Sequence, residues 1–460
     1  MREMRYLIEE YCLSWDKVLV SVKNVEFGDC NIIENNKNIL VVDCGSRNKG
    51  ANKAYNYSAA GRTAYEKIQN DLYNTSKSCQ ILITHYHVDH MNGIKYIEND
   101  RAYLKKIYLP CTFLKENHGI ASWIGALSEL FYFAPKGTYG YIASKEFFSF
   151  LEWLKQFNKK QIQCLKWKDE FTIDRIKNVV LWPRIECDFI ETKDNEDNCI
   201  KYILTSLYEI LGNIHDNEKI MKFLADEIKE VRLYKYLIDF FEFLEDEEEE
   251  HSELLQQKIA RLNNEWQRWR RIYDNIWSNM REKDRIRIKA FVRIKYHKYI
   301  TQCNEMSIVF HEKGKSKYIF LGDVSKRVID FLKDERERAE KNLKNDDNLK
   351  KYLYMRPEYE VIKVQHHGTT RYFTENMPKG KKYIISNGGY KQNKISSSLI
   401  QFIRAADNGD DAEIYCTNGK HGDYCEYKQK YSCSECNGID GDQTIVIDSQ
   451  GLTNMANKFK

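Results

Sequence analysis

The chain has 460 residues, enough for a large core and about two structural units, and carries 72 Lys and Arg against 68 Asp and Glu for a net charge of +4. That balance is too close to neutral to name a partner, so charge has to be read locally. No run of eighteen apolar residues occurs, MREMRYLIEEYC at the N-terminus has no apolar signal core, and the thirteen cysteines follow no small disulfide-scaffold pattern. These features speak against a membrane span, membrane partner or secretion, and lead to the expectation of reduced thiols in the cytoplasm.

In chain order, residues 1–184 read as the first half of an α/β fold. NILVVDCG is an apolar run closed by Asp43, and a polar loop over 46–63 leads to a helix at about 61–77. CQILITHYH is a second buried strand ending at Thr84, so THYHVDHMNG (84–93) falls on the loop beyond its C-terminal edge. Extended backbone alternates its side chains, which puts His85, His87 and Asp89 on one side, with His90 joining them if the chain turns. Imidazole and carboxylate are good ligands for zinc and related divalent metals. A helix follows near Gly93. Residues 112–165 are aromatic and helical, and a strand pair ends at LWP (181–183).

Residues 185–300 have helical periodicity with few breakers and read as an inserted helical hairpin, with EDEEEEH (245–251) between two long helices. Such an insert could serve as a lid, a substrate arm or a protein-partner surface. Within it, EWQRWRRIYDNIW carries Trp266, Trp269, Tyr273 and Trp277 with Arg268, Arg270 and Arg271 among them. Arginines neutralise phosphates and aromatic rings stack on bases, so this helix could contact nucleic acid. The competing reading, which the spacing of three and four favours, is a buried aromatic face with solvated arginines opposite.

Residues 301–460 resume the α/β pattern. KYIFLGD closes a strand with Asp323, SKRVIDFLK starts a helix that a charged stretch continues, and VIKVQHHGTT places His366 and His367 after another strand. A Cys-rich loop spans 416–441: Cys416, Cys425, Cys433 and Cys436, with His421 near, contain one C-x-x-C and could hold a structural zinc, or could be reduced surface cysteines.

The order strand-D, strand-HxHxDH, strand-GD, strand-HHG resembles the metallo-β-lactamase superfamily. WKDEFTIDRIKNVVLWPR, NEMSIVFHEKGKSKYIFLGDV, KVQHHGT and DQTIVID resemble more narrowly the metallo-β-lactamase domain of the ComEC family of DNA-uptake proteins, with Asn304 and Ser307 at its N-x-x-S positions. The resembling segments cover roughly 20–100, 165–185 and 300–450, and the channel of the DNA-uptake proteins has no counterpart here. The resemblance implies an αββα sandwich interrupted by the long inserted helical region.

It further implies a site with two divalent metal ions, zinc first and manganese as an alternative. His85 and His87 would hold one metal, and Asp89 and His90 the other together with His366 or His367. Asp323 would bridge them, and Asp43 would orient a ligating histidine from behind. The spare histidine of the HHG pair would assist at the substrate oxyanion or leaving group, so Asp89, His366 and His367 are the candidate catalytic residues. A metal-bridging hydroxide would be the nucleophile. The function expected is a dinuclear-metal hydrolase acting as a phosphodiesterase or nuclease. The alternatives are a small-molecule esterase, lactonase or phosphocholine esterase on the same core, or a regulatory module with a vestigial site, against which the intact ligand set argues.

Overall fold

The computed structural model describes residues 18–25, 27–46, 59–99, 103–112, 120–184, 192–193, 200–201, 204–205, 208, 218–246, 251–315, 317–342, 352–387, 394–406, 412–417 and 443–447. The chain begins with β1 (Val18–Val22), β2 (Asn31–Glu34), β3 (Asn38–Val42), α1 (Ala59–Tyr73), β4 (Ser78–Leu82), the one-turn α2 (Val88–Met91) and β5 (Leu104–Pro110). It continues through β6 (Ile120–Ala121), α3 (Ser122–Phe133), α4 (Tyr139–Leu154), β7 (Ile162–Leu165), β8 (Glu170–Ile173), β9 (Ile176–Trp182) and β10 (Thr192–Lys193). The insert contributes α5 (Glu218–Glu230), α6 (Arg232–Glu245), α7 (Ser252–Asn279) and α8 (Glu282–Glu305). The second half holds β11 (Val309–Glu312), β12 (Tyr318–Phe320), α9 (Lys326–Asn342), β13 (Glu358–Lys363), β14 (Lys379–Ile385), α10 (Ser397–Ala406), β15 (Glu413–Cys416) and β16 (Gln443–Ile447).

Two seven-stranded sheets result, ordered β16-β1-β2-β3-β4-β5-β7 and β15-β14-β13-β12-β11-β9-β8. Each has one antiparallel flank and one parallel flank: β3 to β4 is the first parallel pair in one sheet, β12 to β13 in the other. The halves therefore repeat one plan. In each, an aspartate follows the last antiparallel strand and a histidine loop follows the first parallel strand. Ligands collect at the C-terminal ends of strands where the direction of connection changes, and here both sheets offer that place.

Alternation along the strands makes the layers. Val18, Val20, Val22, Leu40, Val42, Phe310, Tyr318 and Phe320 form one core between the sheets. Ile39, Val41, Ile81, Ile319 and Ile362 face the opposite way, into a second core shared with the helices. This is the expected α/β sandwich with a helical insertion.

The insert differs in detail from a single hairpin: it holds α5 to α8 and further helical residues at 200–201, 204–205 and 208. The chain breaks at Val231, which takes a left-handed φ of 48°. There the Glu227 carboxylate accepts hydrogen bonds from the Arg232 backbone N–H (2.8 Å) and the Tyr132 hydroxyl (2.5 Å). The apolar period runs on across this break, so the pattern hides it. The acidic stretch after Asp246 lies mostly outside the described residues. Helices α7 and α8 pack on α3, so the aromatic segment near 122–154 and the insert form one helical layer.

Candidate metal centre

Four loops converge at the C-terminal ends of the strands. Asp43 follows β3 with φ 59°. Its carboxylate accepts from the Thr84 N–H (2.7 Å), the Thr84 hydroxyl (2.8 Å) and His90 Nδ1 (2.9 Å), tying the first acid to the histidine loop. The loops touch so closely that a Cβ at Gly45 would lie 2.4 Å from Asp89 C and His90 N, which is why a glycine follows Asp43-Cys44. After β13, His366 (φ 43°), His367 (φ 58°) and Gly368 (φ 71°) all take left-handed conformations. Such backbone is rare for histidine and persists where surrounding structure enforces it, commonly at functional sites.

The hydrogen-bond partners set the imidazole tautomers. Ser386 O, which can only accept, lies 2.7 Å from His367 Nδ1, so Nδ1 carries the proton and Nε2 presents its lone pair. The Thr84 hydroxyl spends its proton on Asp43, so its oxygen accepts from His85 Nδ1 at 3.0 Å and leaves His85 Nε2 bare. Thr369 gives its hydroxyl proton to the His366 carbonyl and accepts from His366 Nδ1 at 2.9 Å, with the same consequence.

These Nε2 atoms meet at one carboxylate oxygen. Asp323 Oδ2 lies 3.2 Å from His90 Nε2, 3.6 Å from His367 Nε2, 3.8 Å from His366 Nε2 and 4.0 Å from His85 Nε2. His85 Nε2 and His87 Nδ1 are 2.8 Å apart, and Asp89 Oδ2 lies 3.8 Å from His367 Nε2. Buried Asp323 Oδ1 and His367 Nε2 have no hydrogen-bond partner among the described residues. A buried polar atom is costly unless satisfied, and bare imidazole nitrogens around a carboxylate are the donor set of a transition-metal site. The residues present therefore fit a divalent cation.

The electrostatics of the metal-free centre set His85 apart from His90. Burial, with His90 and His87 adding to it, holds His85 well below the ordinary histidine range, which keeps it neutral as a ligand must be. Burial would raise Asp323, but His90, His367 and His366 outweigh it and hold its carboxyl well below the usual range. Burial also opposes charge on His90, but Asp323 and Asp43 prevail and raise it well above its usual value. Burial lowers His366 to about 4 against the pull of Asp323.

The two histidines of the HHG pair are placed differently. His367 is 1% exposed and faces Asp89 and Asp323. His366 stands at the mouth, stacked on Tyr372 with ring centroids 3.6 Å apart. The N-x-x-S residues support both halves. Asn304 donates to the Tyr372 hydroxyl (3.0 Å), and the Ser307 hydroxyl lies 2.9 Å from His85 Nδ1 while accepting from Asp323 N–H (3.1 Å). His311, next along β11, bonds Tyr359 and the Tyr352 carbonyl, away from the centre.

Two site residues escaped the sequence reading. Asp29, in FGDC, and Lys363, in VIKV, form a buried pair beside His367. Asp29 belongs to a buried group with His90, Asp323 and His367 whose candidate ligand atoms all lie within 4.8 Å of one another. However, it approaches the Nδ1 edges of the histidines, at 3.5 Å for His367 and 4.0 Å for His90, behind the ligand atoms. The signal available was a charged residue inside each apolar run.

Trp266, Trp269 and Tyr273 are buried, and Trp269 Nε1 donates to Tyr132 O (2.7 Å). They offer no open face to a base. Arg270 is buried too, donating to Ala134 O (2.8 Å) and pairing with Asp274, while Arg268 and Arg271 are exposed. Cys416 is buried at the end of β15, whereas Cys425, Cys433, Cys436 and His421 lie outside the described residues.

Residues 24–107, which carry Asp29, Asp43 and the His85–His90 loop, match the family model of the metallo-beta-lactamase superfamily. No curated protein matches the chain. The match spans 84 of the 460 residues, and the two-sheet architecture is consistent with the α/β fold of that superfamily carrying a helical insertion. Together with the buried Asp/His cluster they support a metal-dependent hydrolase in general. No helix among the described residues is long and apolar enough to cross a membrane.

Proposed function

We propose that this protein is a dinuclear metal-dependent phosphodiesterase that cleaves nucleic acid. The observation that carries the hydrolase reading is the convergence of four histidine Nε2 atoms, drawn from both halves, on Asp323 Oδ2. His85 and His87 would hold one divalent cation, Asp89, His90 and His367 the other, with Asp323 between them. Two such cations, zinc or manganese, would lower the pKa of water and neutralise charge on a phosphoryl group. Around them the chain positions the parts. Asp43 orients His90, Ser307 orients His85 and Asp323, and His366, with its Nε2 3.8 Å from Asp323 Oδ2, would assist at the substrate.

A polyanionic substrate is supported by α8. Between Arg285 and Asn304 it carries six Lys or Arg and no Asp or Glu. Arg287, Lys289 and Arg293 are exposed. The same helix ends at Asn304 and Glu305 beside the mouth, about 27 Å from Ile286 at 1.5 Å per residue. A basic track leading to a metal pair suits a phosphate backbone. The likeness of the motifs to the DNA-uptake domain points the same way. The seven described cysteines form no disulfide among themselves, and action in a reducing cytoplasm is part of the proposal.

The test is cleavage of end-labelled single-stranded and duplex DNA and RNA with zinc or manganese added, beside Asp89→Ala. Metal-dependent cleavage by the wild type alone supports the proposal. Bound metal without cleavage of any polymer would transfer the assignment to a small-molecule ester.

A further inference from the structure

The two halves of the fold meet through a buried ion pair that the hydrolytic machinery does not use. Lys363, at the end of β13 in the second sheet, reaches Asp29, which precedes β2 in the first. Its Nζ lies 3.0 Å from Asp29 Oδ1 and 3.1 Å from Oδ2, and both side chains are at most 3% exposed. Asp29 is held from every side. Its N–H donates to Asp89 O (3.0 Å), its carbonyl accepts from Gly45 N–H (3.0 Å), and Asn31 Nδ2 donates to Oδ1 (3.2 Å). Lys363 gives a further hydrogen bond to Val364 O (3.1 Å).

A buried pair of this kind contributes little net stability, because desolvation offsets the attraction, yet breaking it is costly. Its position suggests what it does. Asp29 Oδ2 sits 3.5 Å from His367 Nδ1 and 4.0 Å from His90 Nδ1, on the edges opposite the Nε2 atoms that face Asp323. One histidine belongs to each half. Phe27, two residues before Asp29, packs its ring 4.6 Å from that of His367. The Asp29 backbone also fixes the Asp89 carbonyl, so three candidate ligands of the same cation are touched from one residue.

We propose that Asp29 and Lys363 are positioning residues that lock the two halves in register behind the second metal position. Asp29 stands as a charge behind His90 and His367, whose Nδ1 protons go to Asp43 and Ser386 O, and its backbone N–H holds Asp89, while Lys363 neutralises Asp29 so that it stays out of the ligand sphere. Carboxylates behind a ligating imidazole fix its orientation and raise its basicity, and losing such a partner typically weakens metal binding about 10–100-fold.

This inference rests on reading the centre as a metal site, so wild-type stoichiometry is measured first, by competition for zinc with a chromophoric chelator. Asp29→Asn should weaken binding of the second equivalent about 10–100-fold and leave the first nearly unchanged. Lys363→Met, which strands the buried carboxylate, should lower the melting temperature of the metal-free protein. The double variant D29N/K363M should recover that temperature but not the second metal. A purely structural pair would recover both. If D29N alone fails to fold, Asp29→Glu keeps the charge but displaces the carboxylate by one methylene, and it must also lose second-site affinity. Two tight equivalents in a folded D29N or D29E protein would overturn the inference. A wild type that binds no metal would overturn the reading beneath it.

Discussion

His311 lies four residues from Ser307 yet does different work from the site histidines. The Tyr352 carbonyl accepts from its Nε2 (2.7 Å), so its Nδ1 accepts from the Tyr359 hydroxyl (2.6 Å). Burial lowers it to about 3, with the Tyr352 hydrogen bond opposing and Arg356 adding to the shift. Its unfolded value is near 6.5, so below that pH the unfolded chain takes up a proton the folded protein refuses. Stability contributed by this residue is therefore full above pH 6.5 and falls as the pH drops toward 3, by an amount on the order of a few kcal/mol. His311→Gln, which cannot gain that proton, should flatten the acid limb of urea stability measured between pH 7 and 4.5. Equal slopes in wild type and variant would refute the assignment. The sequence shows a histidine at 311 but not the two tyrosine partners that settle its role, because they lie more than forty residues away in the chain.

At the scale of elements, α7 and α8 exchange the parts that their sequences suggest. The spacing of Trp266, Trp269 and Tyr273 allowed a base-stacking face or a core face, and packing on α3, α4 and α5 makes it core. Trp269→Ala should then cost about 3–5 kcal/mol in thermal or denaturant unfolding. Arg268→Ala and Arg271→Ala should stay within about 0.5 kcal/mol and leave polymer binding unchanged. The open basic face is on α8 instead. Replacing Arg287, Lys289 and Arg293 by Glu should weaken single-strand binding and reduce the slope of log affinity against log salt by about 2 or more. An unchanged salt slope would remove α8 from the substrate path. Helix α8 carries charges around much of its circumference, and contact with α3 and α4 separates the buried Ile288 and Val292 from the exposed Ile286 and Ile294.

For the whole molecule, the centre acts as a joint. His85, His87, Asp89 and His90 come from the first sheet, and Asp323, His366 and His367 from the second. The sheets already share a core and cross-links such as Ile308 N–H to Thr84 O (2.9 Å). A cation bound by both halves stabilises only the folded chain. Zinc or manganese at a hundredfold over its Kd should add about 2.7 kcal/mol, seen as a single cooperative rise in melting temperature that a chelator reverses. Asp323→Asn, which removes the charge of the proposed shared ligand, should shrink that rise. A metal-independent melting temperature in the wild type would argue against the joint.

By itself the sequence marked the strands that end at Asp43, Thr84, Asp323 and the HHG pair and the ligand-rich loops beyond them, because apolar runs and clustered histidines are local signals, but it missed short strands such as β6 and β7 within the stretch read as helical. His85, His87, Asp89, His90, Asp323, His366 and His367, which the structure brings together, stood out on that basis, while the layered fold followed from the family resemblance of the motifs. Which histidine of the HHG pair turns inward, and which helix keeps its cations in water, were decided only by tertiary structure. So was the meeting of Asp29 with Lys363. Each depends on a partner far along the chain: Ser386 for His367, α3 for α7 and α8, and the opposite sheet for Asp29. No local pattern records a contact that folding alone creates.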